Sequence, residues 1–330
     1  MKTVLFLLVF PFSLSAQTYS LIWSDEFENA ALDPAKWTYE IGQGSGGWGN
    51  NEMQYYTASP TNVFIDTGYL HIVAKAETIG GAFFSSARIK TQGLFDFKYG
   101  KVEARLKVPN GQGLWPAFWM LGSNITTVSW PQCGEIDIME HINNELIVHA
   151  NHHYNNFGHV YDGGQTWADA SIFHDYTFEW TADEMTWFLD GVEFYQTYIG
   201  PGASSKEEFH EPFFFLLNLA VGGNWPGNPD PGTPLPATMM VDYVRVYQET
   251  NALSTPELDL ITISPNPSNE SITVGMETEL ESYTILNLQG EVLLTGTSKS
   301  INVASLSSGL YYMDVQGSDD SVSRTSFVKQ

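Results

Sequence analysis

The chain has 330 residues, of which 43% are apolar, 14% aromatic and only 16% charged. That composition argues against a disordered or membrane-embedded polymer and suits a strand-rich globular protein with one large domain and one small one. The formal net charge of -24, from 38 acidic against 14 basic residues, repels polyphosphates and anionic membranes, so no nucleic-acid partner is expected and a neutral polymer fits better than an anionic one.

Residues 1–16, MKTVLFLLVFPFSLSA, have the pattern of a signal peptide: Lys2 at the start, an apolar run from Val4 to Phe12, and small residues before Gln17. The run is too short to span a bilayer. No later segment reaches 18 uncharged apolar residues, so a secreted protein without a transmembrane segment is expected. Cys133 is the only cysteine, which rules out an intramolecular disulfide and points to an incidental buried thiol.

From 17 to 249, short alternating runs recur between turn signals: GYLHIVAKA, GKVEARLKV, GEIDIMEH, ELIVHANHHY, FFFLLNLAV and MMVDYVRVYQ. Val102, Ala104, Leu106 and Val108 alternate with Glu103, Arg105 and Lys107, as a half-buried strand requires. Leu189-Asp190-Gly191 reads as a hairpin turn. No stretch of twelve or more residues carries a 3.6-residue period, so an all-β sandwich or barrel is expected. All ten tryptophans fall between Trp23 and Trp225. The composition changes at QETNALSTPELD, which places a linker at 250–258 and a second domain at 259–330. That domain reads as a small β-sandwich with few aromatics and no clustered catalytic types.

The motif GEIDIMEH sets Glu135, Asp137 and Glu140 among Ile136, Ile138 and Met139. In a regular strand Glu140 would face away from the other two acids, into the core. A β-bulge at Ile138 or Met139 shifts the register and brings all three carboxylates to one face. Their mutual repulsion raises the pKa of at least one, which provides an acid beside a base. Retaining glycoside hydrolysis needs such a pair, about 5 to 5.5 Å apart, and two residues of strand span about 6.6 Å. A calcium-binding carboxylate cluster and a solvated acidic face are the alternatives this spacing leaves open.

Tryptophans and asparagines surround the motif: Trp115 and Trp119 in GQGLWPAFWM, and Trp48, Asn50, Asn51 and Trp225 in glycine-rich loops. Sugar rings stack their C–H faces on aromatics and present hydroxyls to amide and charged groups, so this company favours a sugar cleft. In HANHHY, alternation puts His149 and His153 on one face and His152 on the other, a poor geometry for a three-histidine metal site.

GEIDIMEH, GWGNNEMQYYT, SARIKTQGLFDFKYGKVEARLKVPNGQGLWPAFWMLG, LNLAVGGNWPG and VDYVRVYQ, spread from Trp23 to Gln248, resemble glycoside hydrolase family 16, most closely its bacterial laminarinases. The resemblance implies a concanavalin A-like β-jelly roll with a concave cleft and a secreted, endo-acting, retaining β-1,3-glucanase with no cofactor for catalysis. It implies Glu135 as nucleophile, Asp137 as the residue that orients and tunes it, and Glu140 as general acid/base. It further implies Asn51, Arg88, Trp115, Trp119 and His153 as substrate-binding residues, and a structural Ca²⁺ on the convex face at Glu26, Gly68 and Asp242. HINNELIVHA departs from the pattern, since some laminarinases carry a tryptophan after the acids. The tail, with ISPNPSNESITV, VLLTG, LSSGLYYMDVQG and a near-terminal Lys329, resembles the C-terminal sorting domain of the type IX secretion system. The expected partners are therefore a laminarin-like glucan and the secretion machinery, acting on a monomer. The competing readings are a non-catalytic glucan-binding protein and a relative that cuts mixed-linkage glucan or agarose.

Overall fold

A computed structural model describes residues 18–250, 261–276, 279–318 and 322–330. The expected signal peptide, and residues 251–258 of the expected linker, lie outside the described residues. The chain divides into two compact units: one spans Tyr19–Glu249, and the other holds the strands from Thr262 onward. The last strand of the first unit, Ala237–Thr250, runs into the first position assigned to the linker.

The larger unit is a sandwich of two sheets. The ten-stranded sheet runs, edge to edge, through Val192–Tyr198, Glu184–Leu189, His174–Trp180, Gly100–Lys107, Ala237–Thr250, Tyr69–Ile79, Ala82–Ser86 and Gln54–Tyr56. Thr18–Asp25 also pairs with Ala237–Thr250, and Val63–Asp66 with Tyr69–Ile79. The seven-stranded sheet runs through His159–Trp167, Ile147–Asn155, Glu135–Glu140, Leu114–Gly122, Phe213–Val221, Arg88–Lys90 and Thr38–Glu40. Helix among the described residues is limited to short turns such as Ile125–Val128 and Glu207–His210, so the all-β expectation holds.

The alternation that marks Gly100–Lys107 in sequence is its burial: Val102, Ala104 and Leu106 are buried while Glu103, Arg105 and Lys107 are partly exposed. Phe213–Val221 is buried at every position and lies inside its sheet, between Leu114–Gly122 and Arg88–Lys90. Asp190 and Gly191 both take positive φ, 50° and 76°, and close the hairpin that pairs Leu189 with Val192, as a two-residue I′ turn requires. The core between the sheets is heavily aromatic. Trp180 meets Phe213 edge-on at 5.5 Å, and Phe118 packs on Phe215 at 5.3 Å.

The smaller unit has a three-stranded sheet, Thr262–Ser264, Ser271–Gly275 and Ser300–Asn302. Its four-stranded sheet is Val292–Gly296, Leu280–Leu286, Gly309–Gly317 and Val322–Lys329. Ile272, Val274, Ile285, Ile301, Val303, Tyr311, Met313, Val315 and Phe327 make its core. No described helix is long and apolar enough to cross a membrane.

Candidate active site

The strand Glu135–Glu140 lies between Leu114–Gly122 and Ile147–Asn155, and both pairings break register after Asp137. Against the first neighbour Asp137 opposes Trp119 and Met139 opposes Phe118; against the second, Asp137 opposes Asn151 and Glu140 opposes His149. One residue is therefore extra, which is the β-bulge that the position of Glu140 demands. Ile136, Ile138 and Met139 are buried in the core, while Glu135, Asp137 and Glu140 all line one cleft of about 1100 Å³. A bulge strands backbone groups that the ladder would otherwise pair. Here Trp187 of the opposite sheet donates its indole N–H to the Asp137 carbonyl at 3.0 Å, which ties the bulge to the core.

Strand register carries the acids' neighbours into rows across the sheet. Glu135 aligns with His153 and then Tyr161, Asp137 with Asn151 and Gly163, and Glu140 with His149 and Gln165. On the other side Glu140 aligns with Ala117, Asn218 and Arg88. The indole of Trp130 donates to Glu135 Oε2 at 2.7 Å. Glu140 accepts from Trp115 Nε1 on one oxygen, at 2.9 Å, and from Asn151 Nδ2 on the other, at 2.7 Å. Asp137 is 2% exposed, and its Oδ2 lies 3.2 Å from His153 Nε2. Arg88 is held with its guanidinium 4.8 Å from the ring centroids of both Trp48 and Trp119, and its Nε lies 2.6 Å from Glu40. Trp119 in turn donates to Asn218 at 2.8 Å.

Burial pushes all three carboxyl groups above the ordinary range, and the charge of a neighbour adds to it: Asp137 on Glu140, and Glu135 on Asp137. Glu135 is relieved by the nearby His153 and by the Trp130 hydrogen bond. Burial alone would lower the pKa of His153, but its bond to Asp137 and the charges of Asp137, Glu135 and Glu140 outweigh that and raise it to about 9. The cleft thus keeps a cation beside Asp137 and Glu135 and favours a proton on Glu140, an acid and a nucleophile on one strand.

Of the five residues expected to bind substrate, Arg88, Trp115, Trp119 and His153 line the cleft. Asn51 does not. Its side chain donates to Asn224 at 2.9 Å, and the neighbouring Asn50 lines the cleft instead. The cause is local: Trp48, Gly49 and Asn51 all have positive φ in the turn 47–51, so side-chain direction there follows no alternation. Trp48 and Trp225 also line the cleft, and Trp225 meets Trp115 edge-on at 5.6 Å. The sequence reading missed Trp130, Asn151, Asn218, His159 and Tyr161. Asn151 was recoverable, since it lies between His149 and His153 on their face of the strand. Trp130 comes from a loop and carried no periodic signal.

His152 points away from the cleft. It is fully buried, lies 3.3 Å from Lys206 Nζ, and burial drives its pKa down to about 3. The Cys133 thiol is likewise buried and pushed up to about 12, in keeping with an inert role. At the expected calcium residues, both carboxylate oxygens of Glu26 are bound by Arg245, at 3.0 and 2.7 Å, and Asp242 Oδ2 lies 3.4 Å from Arg105 Nε. Asp242 sits at a register break between Val241 and Tyr243 in Ala237–Thr250. The strands that follow Gly68 and precede Glu26 both pair with that same strand.

A half-buried glutamate, a buried aspartate and a buried glutamate along a bulged strand on the floor of a tryptophan-lined cleft define a carbohydrate-cleaving hydrolase that works with paired carboxylates. The chain belongs to glycosyl hydrolases family 16, which residues 48–245 match, and residues 262–329 match the secretion system C-terminal sorting domain. It is similar to the beta-glucanase of Rhodothermus marinus, 41% identical over 71% of this chain and 86% of that protein. It is also similar to the clotting factor G alpha subunit of Tachypleus tridentatus, 40% identical over 72% of this chain but only 35% of that protein's length. The solved laminarinase of Rhodothermus marinus superposes with a TM-score of 0.66 at 40% identity, over 71% of this chain and 99% of that one. The jelly roll is thus the family's fold, and the sorting domain marks the protein for secretion.

Proposed function

We propose that the protein is an endo-acting β-1,3-glucanase that hydrolyses a laminarin-like glucan with retention of configuration. The observation that carries this reading is the division of charged neighbours along the bulged strand. Glu135 has Trp130 and the His153 cation, which favour its charged form, whereas Glu140 lies beside the Asp137 charge, which favours its protonated form. Glu135 attacks the anomeric carbon while Glu140 gives its proton to the leaving oxygen, and Glu140 then takes a proton from water to release the glycosyl-enzyme. Bonding Glu135 to sugar removes one negative charge from the cluster. That lowers the pKa values of its neighbours and suits Glu140 to act as a base in the second step. The cleft volume, about 1100 Å³, exceeds the ~300–1,000 Å³ of a drug-sized pocket and so accommodates a polymer. The laminarinase likeness selects 1,3-linked glucose.

The test is reducing-sugar release from laminarin, lichenan and agarose, with product analysis. Fast release of mixed oligosaccharides from laminarin, first formed in the β configuration by NMR, is expected. Binding of laminarin without release would instead make the protein a glucan-recognition module.

We further propose that Ca²⁺ binds on the convex face through the carbonyls of Glu26 and Gly68 and the carboxylate of Asp242, all hard oxygen ligands. An ion that binds only the folded state contributes about 2.7 kcal/mol at a hundredfold excess over its Kd. EDTA should lower the melting temperature, Ca²⁺ should restore it, and Asp242→Ala should abolish the response; a melting curve indifferent to EDTA would remove the site.

A further inference from the structure

The three groups clustered at the cleft floor also suit a purpose unrelated to sugar. One oxygen each of Glu135 and Asp137 and one ring nitrogen of His153 lie within 4.8 Å of one another. His153 Nε2 is 3.2 Å from Asp137 Oδ2 and 3.9 Å from Glu135 Oε1. Tetrahedral ligands about 2.0–2.1 Å from zinc stand roughly 3.3 Å apart, so small side-chain adjustments close this set around an ion.

Two further observations point to a ligand. Asp137 Oδ2 is buried, and the group that faces it is His153 Nε2, 3.2 Å away; burying a carboxylate oxygen is expensive. On the far side of the imidazole, His153 Nδ1 lies 2.8 Å from His159 Nε2. A proton shared there holds the ring with Nε2 toward the two carboxylates, as an outer partner does for a metal-bound histidine. Three ligand atoms then face one point, where a metal ion takes the place of the His153 Nε2 proton.

We propose that this point is an inhibitory transition-metal site, taking a divalent ion of the zinc or copper class through Glu135, Asp137 and His153 Nε2. Mixed nitrogen and carboxylate ligands suit those ions, whereas Mg²⁺ and Ca²⁺ prefer all-oxygen shells. The bound ion removes the nucleophile and its orienting partner together. It competes with a proton, because His153 faces Glu135, Asp137 and Glu140 on one side and His159 and Tyr161 on the other, and its pKa is raised to about 9. The -24 net charge raises the local cation concentration. The inhibition rests on the glucanase reading, but the binding does not.

Zinc is titrated calorimetrically into the full chain at pH 7.5 in buffers of different ionisation enthalpy, and laminarin hydrolysis is followed in parallel. The expected result is one site that releases about one proton, inhibition competitive with laminarin and reversed by chelation, and no inhibition by Mg²⁺. His153→Ala and Asp137→Asn should each weaken zinc binding more than a hundredfold, and His159→Ala by about tenfold. Zinc affinity unchanged in Asp137→Asn, or unaffected by saturating laminari-oligosaccharide, places the ion elsewhere and overturns the site. So does a loss in His159→Ala that equals the loss in His153→Ala while Asp137→Asn binds normally, since the ion would then lie between the two imidazoles. A protein that cleaves laminarin but ignores zinc sinks this inference alone; one that binds zinc through these residues and cleaves no glucan sinks only the glucanase reading.

Discussion

The two units of this protein are built on one principle, strands whose alternate residues are buried, yet they bury different things. The hydrolase unit has a core of 40 buried residues that includes Trp37, Trp180, Trp187 and a series of phenylalanines, and it also buries Asp25, Glu52, Asp137 and Glu140. Among its described residues the sorting unit has nine buried core residues, mostly aliphatic, and only Ser268 and Lys329 as buried polar groups. Desolvating a carboxylate costs several kcal/mol unless partners compensate, and a small core leaves little stability to offset that cost. Chemistry resides in the unit whose apolar burial is large enough to carry groups that oppose folding.

The largest effect should come from the acids themselves. Glu135→Gln should leave essentially no activity on any substrate, because no group remains to form the glycosyl-enzyme. Glu140→Ala should lose about 10²–10⁴-fold on laminarin but retain more on aryl glycosides with good leaving groups, and azide should restore turnover to give a β-glycosyl azide. Asp137→Asn should fall between them. An α-azide, or rescue at Glu135 in place of Glu140, would reverse the roles.

Next come the cores. Phe118→Ala, at a fully buried ring, should destabilise the hydrolase unit by about 3–5 kcal/mol and take activity with it on mild heating. Ile285→Ala, equally buried, should cost the sorting unit about 2–5 kcal/mol and leave laminarin kinetics unchanged below its transition. Denaturant melts followed by activity and by circular dichroism separate the two. Equal loss of activity in both variants would break the division of labour between the units.

A smaller and opposite shift is expected from Glu140→Gln. Burial raises the folded pKa of Glu140 above its ordinary 4.5, to about 7. Ionisation between those values therefore costs the folded state and not the unfolded one, so the penalty is absent below pH 4.5 and complete above about 7. The glutamine removes it: the melting temperature should rise at pH 8 and stay unchanged at pH 4. His153, with its pKa raised to about 9, works the other way. Its contribution to stability is complete below about pH 6.5 and is lost progressively between 6.5 and about 9, so part of it is already gone at pH 8. A lower melting temperature at pH 8 would show that the hydrogen bonds from Trp115 and Asn151 to the carboxylate outweigh its desolvation.

The smallest effect should be none. A chain ending at Thr250 should cleave laminarin with the kcat/KM of the full chain, while only the full chain reaches the outside of the cell. A marked loss of affinity for insoluble glucan on truncation would assign binding to the sorting unit.

Much of this was legible in order along the chain. Alternation identified the strands, and Glu140 announced the bulge by standing one residue out of phase with Glu135 and Asp137. Alternation set His152 on the opposite face from His149 and His153, and the structure buries it there. These readings depend on period two, a property of the backbone that each strand carries by itself. At Asn51 this period gives no guide, because its turn has left-handed residues, so the sequence did not decide which of two adjacent asparagines faces the cleft.

By itself the sequence determined the fold class, the two units, the face of each strand and the three acids on one side of one of them. Only the tertiary structure decided which groups set their protonation. Trp130 comes from a loop, Asn151 from the next strand, and Trp187 across the core to the bulge carbonyl. A pKa depends on burial and on charges a few ångströms away, and those distances arise between segments far apart in the chain, where no local pattern records them.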